Sequence, residues 1–198
     1  METEEIRKGD NRSIHLPPPP PISLRPFDTS ESDIDGLVAL SAEAAANRFL
    51  RRGPFASRDD AVRFLHDKVL AHSWYRAICL PDGRIVGSIS LRPGISGDGA
   101  PRSASLGYRV ASKFRCRGIA TEAVREATAA AFEEWPELER VEAVADVENP
   151  ASQRVLEKAG FAREAVLRDY MVLKGEIRDV IMYSFMSRDR MAGKTLKS

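Results

Sequence analysis

Cysteine is scarce in this chain: Cys79 and Cys116 are the only two among 198 residues. Two cysteines cannot build the disulfide framework of a small secreted domain, which favours a reducing compartment. Long apolar runs are missing too, and nothing approaches the roughly 18–20 residues that span a bilayer. The chain opens Met1-Glu2-Thr3-Glu4-Glu5, acidic and without the apolar stretch of a secretory signal. An excess of one charge is also lacking, since 30 Lys and Arg face 29 Asp and Glu for a formal net charge of +1. That balance argues against a nucleic-acid partner held by bulk charge. These absences point to a soluble cytoplasmic or nuclear protein with no membrane and no nucleic-acid partner. The sequence has no internal repeat, and it offers no set of residues that reads as a metal site.

What is present suffices for one core. The chain is 43% apolar and 30% charged, unlike a disordered chain, and its length suits one domain with a tail at ~150 residues per domain. Residues 1–21 read as a tail ending in Pro17 to Pro21, an extended polyproline run without backbone donors. It reads either as a docking site for a proline-recognising partner or as a stiff spacer, with no part in the sheet or in any site. The domain is expected over 22–187, followed by a polar tail over 188–198.

Within the domain, Ile22 to Phe27 alternates like a strand, and Thr29-Ser30-Glu31 introduces a helix burying Ile34, Leu37, Val38 and Ala45. A basic loop with Arg48, Arg51 and Arg52 leads to a second helix capped by Ser57, with Ala61, Phe64, Leu65 and Val69 inward. His66 and His72 are assigned to the surface of that helix. Trp74–Leu80 and Ile85–Leu91 flank Pro81-Asp82-Gly83, a hairpin signal. A glycine-rich loop over Gly94–Pro101 precedes a strand over Ser103–Val110. An alanine-rich helix from Gly118 to about Trp135, a strand over Arg140–Asp146, and a helix begun by Asn149-Pro150 and ended by Gly160 follow. Phe161–Leu173 and Ile177–Met186 close as a hairpin. The order β-α-α-β-β-β-α-β-α-β-β predicts an α+β sandwich: a mixed, mostly antiparallel sheet of about seven strands with helices on both faces.

The most informative stretch runs from Tyr108 to Ala123, where a strand ends in a basic turn and a helix starts at a glycine. The first amides of a helix have no internal partners and lie at the positive end of its dipole. Gly118 and Ala120 remove side-chain bulk there, and Lys113, Arg115 and Arg117 surround them with cations. Such a turn suits a phosphate or pyrophosphate. It is not a Walker loop, having no Gly-Lys-Ser/Thr, and not a dinucleotide fingerprint, having one glycine where three are needed.

Arg115-x-x-Gly118-x-Ala120 resembles the (Gln/Arg)-x-x-Gly-x-(Gly/Ala) signature of the GNAT superfamily of acetyl-CoA-dependent N-acetyltransferases. Leu106-Gly107-Tyr108-Arg109-Val110 resembles its preceding strand, and Asn149-Pro150-Ala151-Ser152 through Lys158-Ala159-Gly160-Phe161 its second block. Leu173 to Val180 with Tyr183 resembles the Rim-like branch, the ribosomal-protein N-terminal acetyltransferases. The resemblance spans Ile22 to about Ser187.

The resemblance implies acetyl-CoA as co-substrate, without a metal, and an amine as acceptor: a protein N-terminus or a small amine. Arg115, Cys116, Arg117, Gly118, Ile119, Ala120 and Thr121 would cradle the pyrophosphate. Val110 would offer backbone groups to pantetheine, and the Tyr108 backbone would bond the thioester carbonyl. Asn149 would either contact pantetheine or act as an ordinary helix cap. The tyrosine that protonates the leaving thiolate in many relatives is replaced by Leu156. Ser152 takes its place in the Rim-like branch, though a first-turn serine is also a common local hydrogen-bonding residue. The glutamate often found before the apolar-Gly-Tyr segment is Ser105 here. Glu142 and Asp146 are the carboxylates left as candidate bases. Cys116 reads either as a thiol activated at a helix start or as a small residue of the turn. Arg48 to Arg52 would border the acceptor site. A catalytically silent sensor or adaptor that binds coenzyme A stays open beside the enzyme.

Overall fold

The computed structural model describes residues 18–43, 47–95 and 100–191. The expectations for Pro17, Ala45, the glycines at 96–99 and the chain beyond 191 lie outside the described residues. Seven strands form one sheet in the order β1-β2-β3-β4-β5-β7-β6. They are β1 (Ser23–Pro26), β2 (Tyr75–Cys79), β3 (Ile85–Ile95), β4 (Pro101–Val110), β5 (Arg140–Asp146), β6 (Ala162–Leu173) and β7 (Glu176–Met186). Every neighbouring pair is antiparallel except β4 and β5. The expected mixed sheet is what the chain builds.

Helices cover both faces. On one face lie α1 (Glu31–Ala42) and α2 (Arg58–Phe64), whose Ile34, Leu37 and Ala61 pack against Ala77 and Cys79 of β2. Ser30 and Ser57 cap them through their side chains. The entry to α1 is fixed by Asp33, fully buried, which accepts from the Arg25 guanidinium at 2.8 Å and from the Asp28 amide at 2.8 Å. On the other face lie α3 (Ile119–Glu134) and α4 (Pro150–Lys158), with Ala123, Val124, Ala127 and Ala131 of α3 fully buried against the sheet. Arg125 ties the two helices together by donating to the Lys158 carbonyl at 2.7 Å. Among the described residues no helix is long and apolar enough to cross a membrane.

Two expectations shift. The second helix continues beyond α2 as a π-helix over Leu65–Leu70, and His72 lies past its end, half-buried. The strand expected to stop at Leu91 runs on through Gly94 to Ile95, pairing with β4. A short helix, α5 (Ser187–Met191), follows β7 within the stretch read as a polar tail. Asp189 accepts from the Met186 amide at 3.0 Å, and Arg190 lies 4 residues past the strand with its guanidinium 5.5 Å from the Phe132 ring centre. Those contacts hold the helix on the domain.

The top of β4 depends on one close approach. Gly87 in β3 faces Val110, and a Cβ there would stand 2.4 Å from the Arg109 carbonyl oxygen and 3.0 Å from Ile78 Cδ1. A backbone oxygen cannot swing away as a side chain can. Gly87→Ala is therefore expected to lower stability by about 1–3 kcal/mol, the range of an overpacked core. Urea denaturation of the variant against the parent measures it.

Candidate active site

The sheet opens where β4 and β5, the only parallel pair among the described residues, stop pairing. Ser103, Ala104 and Ser105 of β4 are in register with Arg140, Val141 and Glu142 of β5, and the ladder goes no further. On its other side β4 stays paired with β3 from Ser103 to Val110. Backbone direction along the open edge follows from one bond. The Ala111 amide donates to the Val86 carbonyl at 2.8 Å, toward β3. Strand periodicity turns the peptide groups of Val110 and Tyr108 the opposite way, toward β5, where no strand pairs with them among the described residues. A groove of about 1780 Å³ occupies this opening and the surfaces on either side of it.

The cradle lies at one end of the groove. After β4 the chain makes a short 3₁₀ turn (Ser112–Phe114) and enters α3 with Gly118 as N-cap at φ +80°, without a side-chain cap. The first amide to close a helical bond is that of Glu122, onto the Gly118 carbonyl at 3.0 Å. The amides of Ile119, Ala120 and Thr121 take no acceptor among the described residues. Arg115, Cys116 and Arg117 are exposed around them, and Cys116 is itself left-handed at φ +58°. That conformation costs about 1–2 kcal/mol for a residue with a side chain. Free amides, a dipole end and two arginines fit a pyrophosphate.

One expectation fails at the cradle. The proline segment was assigned no part in any site, yet Pro18, Pro19 and Pro20 line the groove. A Cβ on Gly118 would stand 2.8 Å from Pro19 Cβ. The reason is topological: the segment enters β1 beside Cys79, at the end of the sheet where β4 runs out.

Across the opening, α4 begins at Asn149, whose Oδ1 accepts from the Ser152 amide at 3.2 Å. Asn149 is thus a helix cap, and it also lines the groove. Ser152 makes no local hydroxyl contact of the usual first-turn kind. Its Oγ lies 2.9 Å from Tyr108 Oη, and the Tyr108 phenol also reaches the Ser152 carbonyl at 3.2 Å. Burial pushes the Tyr108 phenol up to about 12, against the Ser152 bond that favours its ionised form. This pair joins β4 to α4 across the groove, and the sequence reading of Tyr108 as a backbone residue alone missed it. The alternation of β4 carried the signal, since Tyr108 shares its face with the buried Leu106 and Val110. Leu156 is fully buried, so no side chain from that position reaches the groove.

On the opposite face, the register places Ser105 beside Glu142, with Val144 and Asp146 following along β5. Glu142 pairs with Arg140 at 3.3 Å and accepts from Ser105 Oγ at 3.3 Å. Asp146 is buried, accepts from the Glu148 amide at 2.8 Å and lies 3.5 Å from Arg178 Nε. Arg48 pairs with Glu148 at 3.2 Å. His72 lines this side as well, its Nδ1 accepting from the Trp74 amide at 3.2 Å. Burial, and then Arg92, hold its imidazole below the usual value.

Comparison with known proteins agrees with this geometry. The chain is 39% identical over 110 residues to YdaF of Bacillus subtilis, whose name assigns it provisionally to ribosomal N-acetylation. It is 37% identical over 108 residues to YjcK of the same organism, named as an N-acetyltransferase. These matches take in 56% and 54% of this chain, and the chain spans 58% of the length of each relative. Among solved structures, a GNAT-family acetyltransferase of Bacillus anthracis superposes with a TM-score of 0.74 at 22% identity, over 86% of this chain and 97% of that one. A spermidine N-acetyltransferase of Vibrio cholerae, solved with CoA and spermine, superposes with a TM-score of 0.70 at 19% identity, over 86% and 98%. The family model described as the acetyltransferase (GNAT) domain matches residues 22–162, most of the sheet and its helices, and the chain belongs to the GNAT acetyltransferase family.

Proposed function

We propose that the protein is an acetyl-CoA-dependent N-acetyltransferase that moves acetyl directly to a primary amine, with a protein N-terminal amine as the acceptor. The observation that carries this reading is the unpaired edge of β4 beside the cradle. Peptide groups of a strand demand partners, and those of Tyr108 and Val110 face a groove wide enough for an extended ligand. An amide-bearing pantetheine arm supplies such partners by lying along the edge as a further strand would. The free amides of Ile119, Ala120 and Thr121, with Arg115 and Arg117, suit the pyrophosphate beyond it.

Bound acetyl-CoA supplies an activated acetyl group as a thioester, and the chain supplies orientation and protons. The Tyr108 amide, pointing into the opening, is the donor available to a thioester carbonyl as its oxygen gains charge. Asn149 would present its remaining amide hydrogens to pantetheine while its oxygen caps α4. Ser152 would hand its hydroxyl proton toward the departing sulfur, with the Tyr108 phenol donating behind it. The raised phenol stays protonated throughout the neutral range, so the pair keeps its hydrogens. This pair answers the case for a silent binder, which rested on the missing tyrosine at Leu156 and missing glutamate at Ser105. The amine's own proton leaves toward the opposite face, where Glu142 and Asp146 are the carboxylates of β5. A polyamine acceptor is the second reading, supported by the spermidine acetyltransferase among the fold's neighbours.

Ser152→Ala is expected to lower kcat by about 10²-fold, the lower end for loss of a general acid, because a thiolate leaves fairly well unprotonated. Acetyl-CoA affinity should hold within a factor of two or so, as pre-steady-state rates and calorimetry on the same variant will establish. An unchanged chemical step removes Ser152 from the mechanism.

Tyr108 also predicts a pH effect on stability. Its folded value of about 12 lies above the ordinary 10, so its contribution is intact below pH 10 and is lost as pH rises toward 12. Tyr108→Phe should flatten that alkaline limb of the melting curve. At Gly118, any side chain meets both the left-handed backbone and Pro19. Gly118→Val is expected to weaken acetyl-CoA binding by more than about tenfold through displaced amides, with a lowered Tm. Tight binding by the folded variant, measured by calorimetry, would contradict the cradle assignment.

A further inference from the structure

Arginines outnumber carboxylates in the groove even away from the cradle, with Arg48, Arg51, Arg52, Arg92 and Arg109 against Glu142, Asp146 and Glu148. Arg109 is the residue after Tyr108, so its side chain leaves β4 on the opposite face from the Tyr108–Ser152 pair. It faces Ser88, its partner in register, which lies 3.3 Å from Tyr75 Oη. The Arg109 guanidinium is largely buried, its Nε has no hydrogen-bond partner, and no carboxylate pairs with it among the described residues. Arg52, on the basic loop, lies near enough to oppose its charge, and is itself held over the Phe55 and Phe64 rings at 4.1 and 4.8 Å. Burial above all lowers the Arg109 value and Arg52 adds to it, while Tyr75 and the Glu43 carboxylate act the other way, and the arginine remains charged.

The acids of the groove are committed elsewhere. Glu142 pairs with Arg140, and Asp146 and Glu148 pair with Arg178 at 3.5 and 3.0 Å, while Glu43, outside the groove's lining, accepts from the Ser112 amide. A largely desolvated guanidinium whose nearest opposing charge, Glu43, lies beyond ion-pair distance is costly, and so is a second cation placed beside it. An anion arriving between Arg52 and Arg109 relieves both costs at once, and the guanidinium fork suits a planar carboxylate.

We infer that Arg109, with Arg52, forms an anion subsite of the acceptor pocket, so that the preferred acceptor is an amine carrying a carboxylate on its own or the next residue. The subsite rests on the transferase reading above and selects against polyamines, which bring only positive charge. Its position one residue from Tyr108 sets the short spacing between anion and reacting amine.

The test uses matched acceptors differing by one anion. Glycylglycine is compared with its C-terminal amide, and amidated Ser-Glu-Ala with amidated Ser-Gln-Ala, with spermidine as a fifth acceptor. The first pair reports a small amino-acid-like acceptor and the second an acidic peptide. The anionic member of at least one pair should have kcat/KM higher by about tenfold or more, as for a hydrogen bond to a charged group. Arg109→Gln should remove most of that preference through KM, Arg109→Lys should restore part of it, and Arg52→Gln should reduce it. Arg52→Gln, on an exposed loop, keeps the test decisive if Arg109→Gln does not fold. Equal or better use of neutral amines or spermidine overturns the subsite, as does an equal loss for both members of a pair in Arg109→Gln. Calorimetry with N-acetylglycylglycine separates the two claims: binding weakened about tenfold by Arg109→Gln, without turnover of any amine, keeps the subsite and overturns the transferase reading.

Discussion

The candidate site depends on two parallel strands that stop hydrogen bonding partway along. Three residues of β4 pair with three of β5, and then the strands part. A buried sheet cannot leave a row of peptide groups unanswered without a large penalty. The opening is tolerated because β4 remains fully paired on its β3 side, and β5 is paired with β7 along its whole length from Arg140 to Asp146. The two halves of the sheet are therefore each complete, and the unsatisfied edge is confined to the place where a ligand can answer it. Helices α3 and α4, joined by the Arg125–Lys158 bond, keep the two halves at a set spacing from one face.

Much of this was legible in the sequence, for reasons that differ from element to element. The apolar alternation of β4 and the Ala-rich stripe of α3 are local patterns, so strand, helix and the glycine between them could be read directly. Asn149-Pro150 reads as a cap because its chemistry is local, and the structure bears that out in the bond to the Ser152 amide. The Tyr108–Ser152 pair joins positions 44 residues apart, and no local pattern announces it. The same holds for Pro19 on Gly118: a polyproline run is predictable as extended, but the surface it lies on is set by where β1 enters the sheet. His72 was misassigned because the turn from α-helix to π-helix displaces the end of the helix, and no residue in Leu65–Leu70 signals that change by itself.

The cradle shows how one position can carry two constraints. Gly118 needs a left-handed backbone to turn the chain into α3, and it also needs to be bare on the side that meets Pro19. The expected reason for the glycine was access of an anion to the amides. The direction of its missing Cβ shows a second reason, contact with the incoming N-terminal segment, which forms an outer wall of the same groove. Loss of the side chain therefore shapes the site twice, through backbone geometry and through packing of the wall.

Strand periodicity also explains how one element can serve both reactants. Along β4, consecutive side chains leave on opposite faces while alternate peptide groups point into the opening. Tyr108 thus offers its amide to the opening and its phenol to Ser152 on the α3–α4 face, and Arg109 offers its guanidinium to the α1–α2 face. A donor bound along α3 and an acceptor bound under the basic loop would approach from opposite sides and meet at the strand edge between them. The division of charge follows the same plane: the cradle's cations lie where pyrophosphate is expected, and Arg52 and Arg109 lie on the face proposed for the acceptor. A residue inserted between Tyr108 and Arg109 would put both side chains on one face, so their separation to opposite faces is set by the pleat of the strand itself.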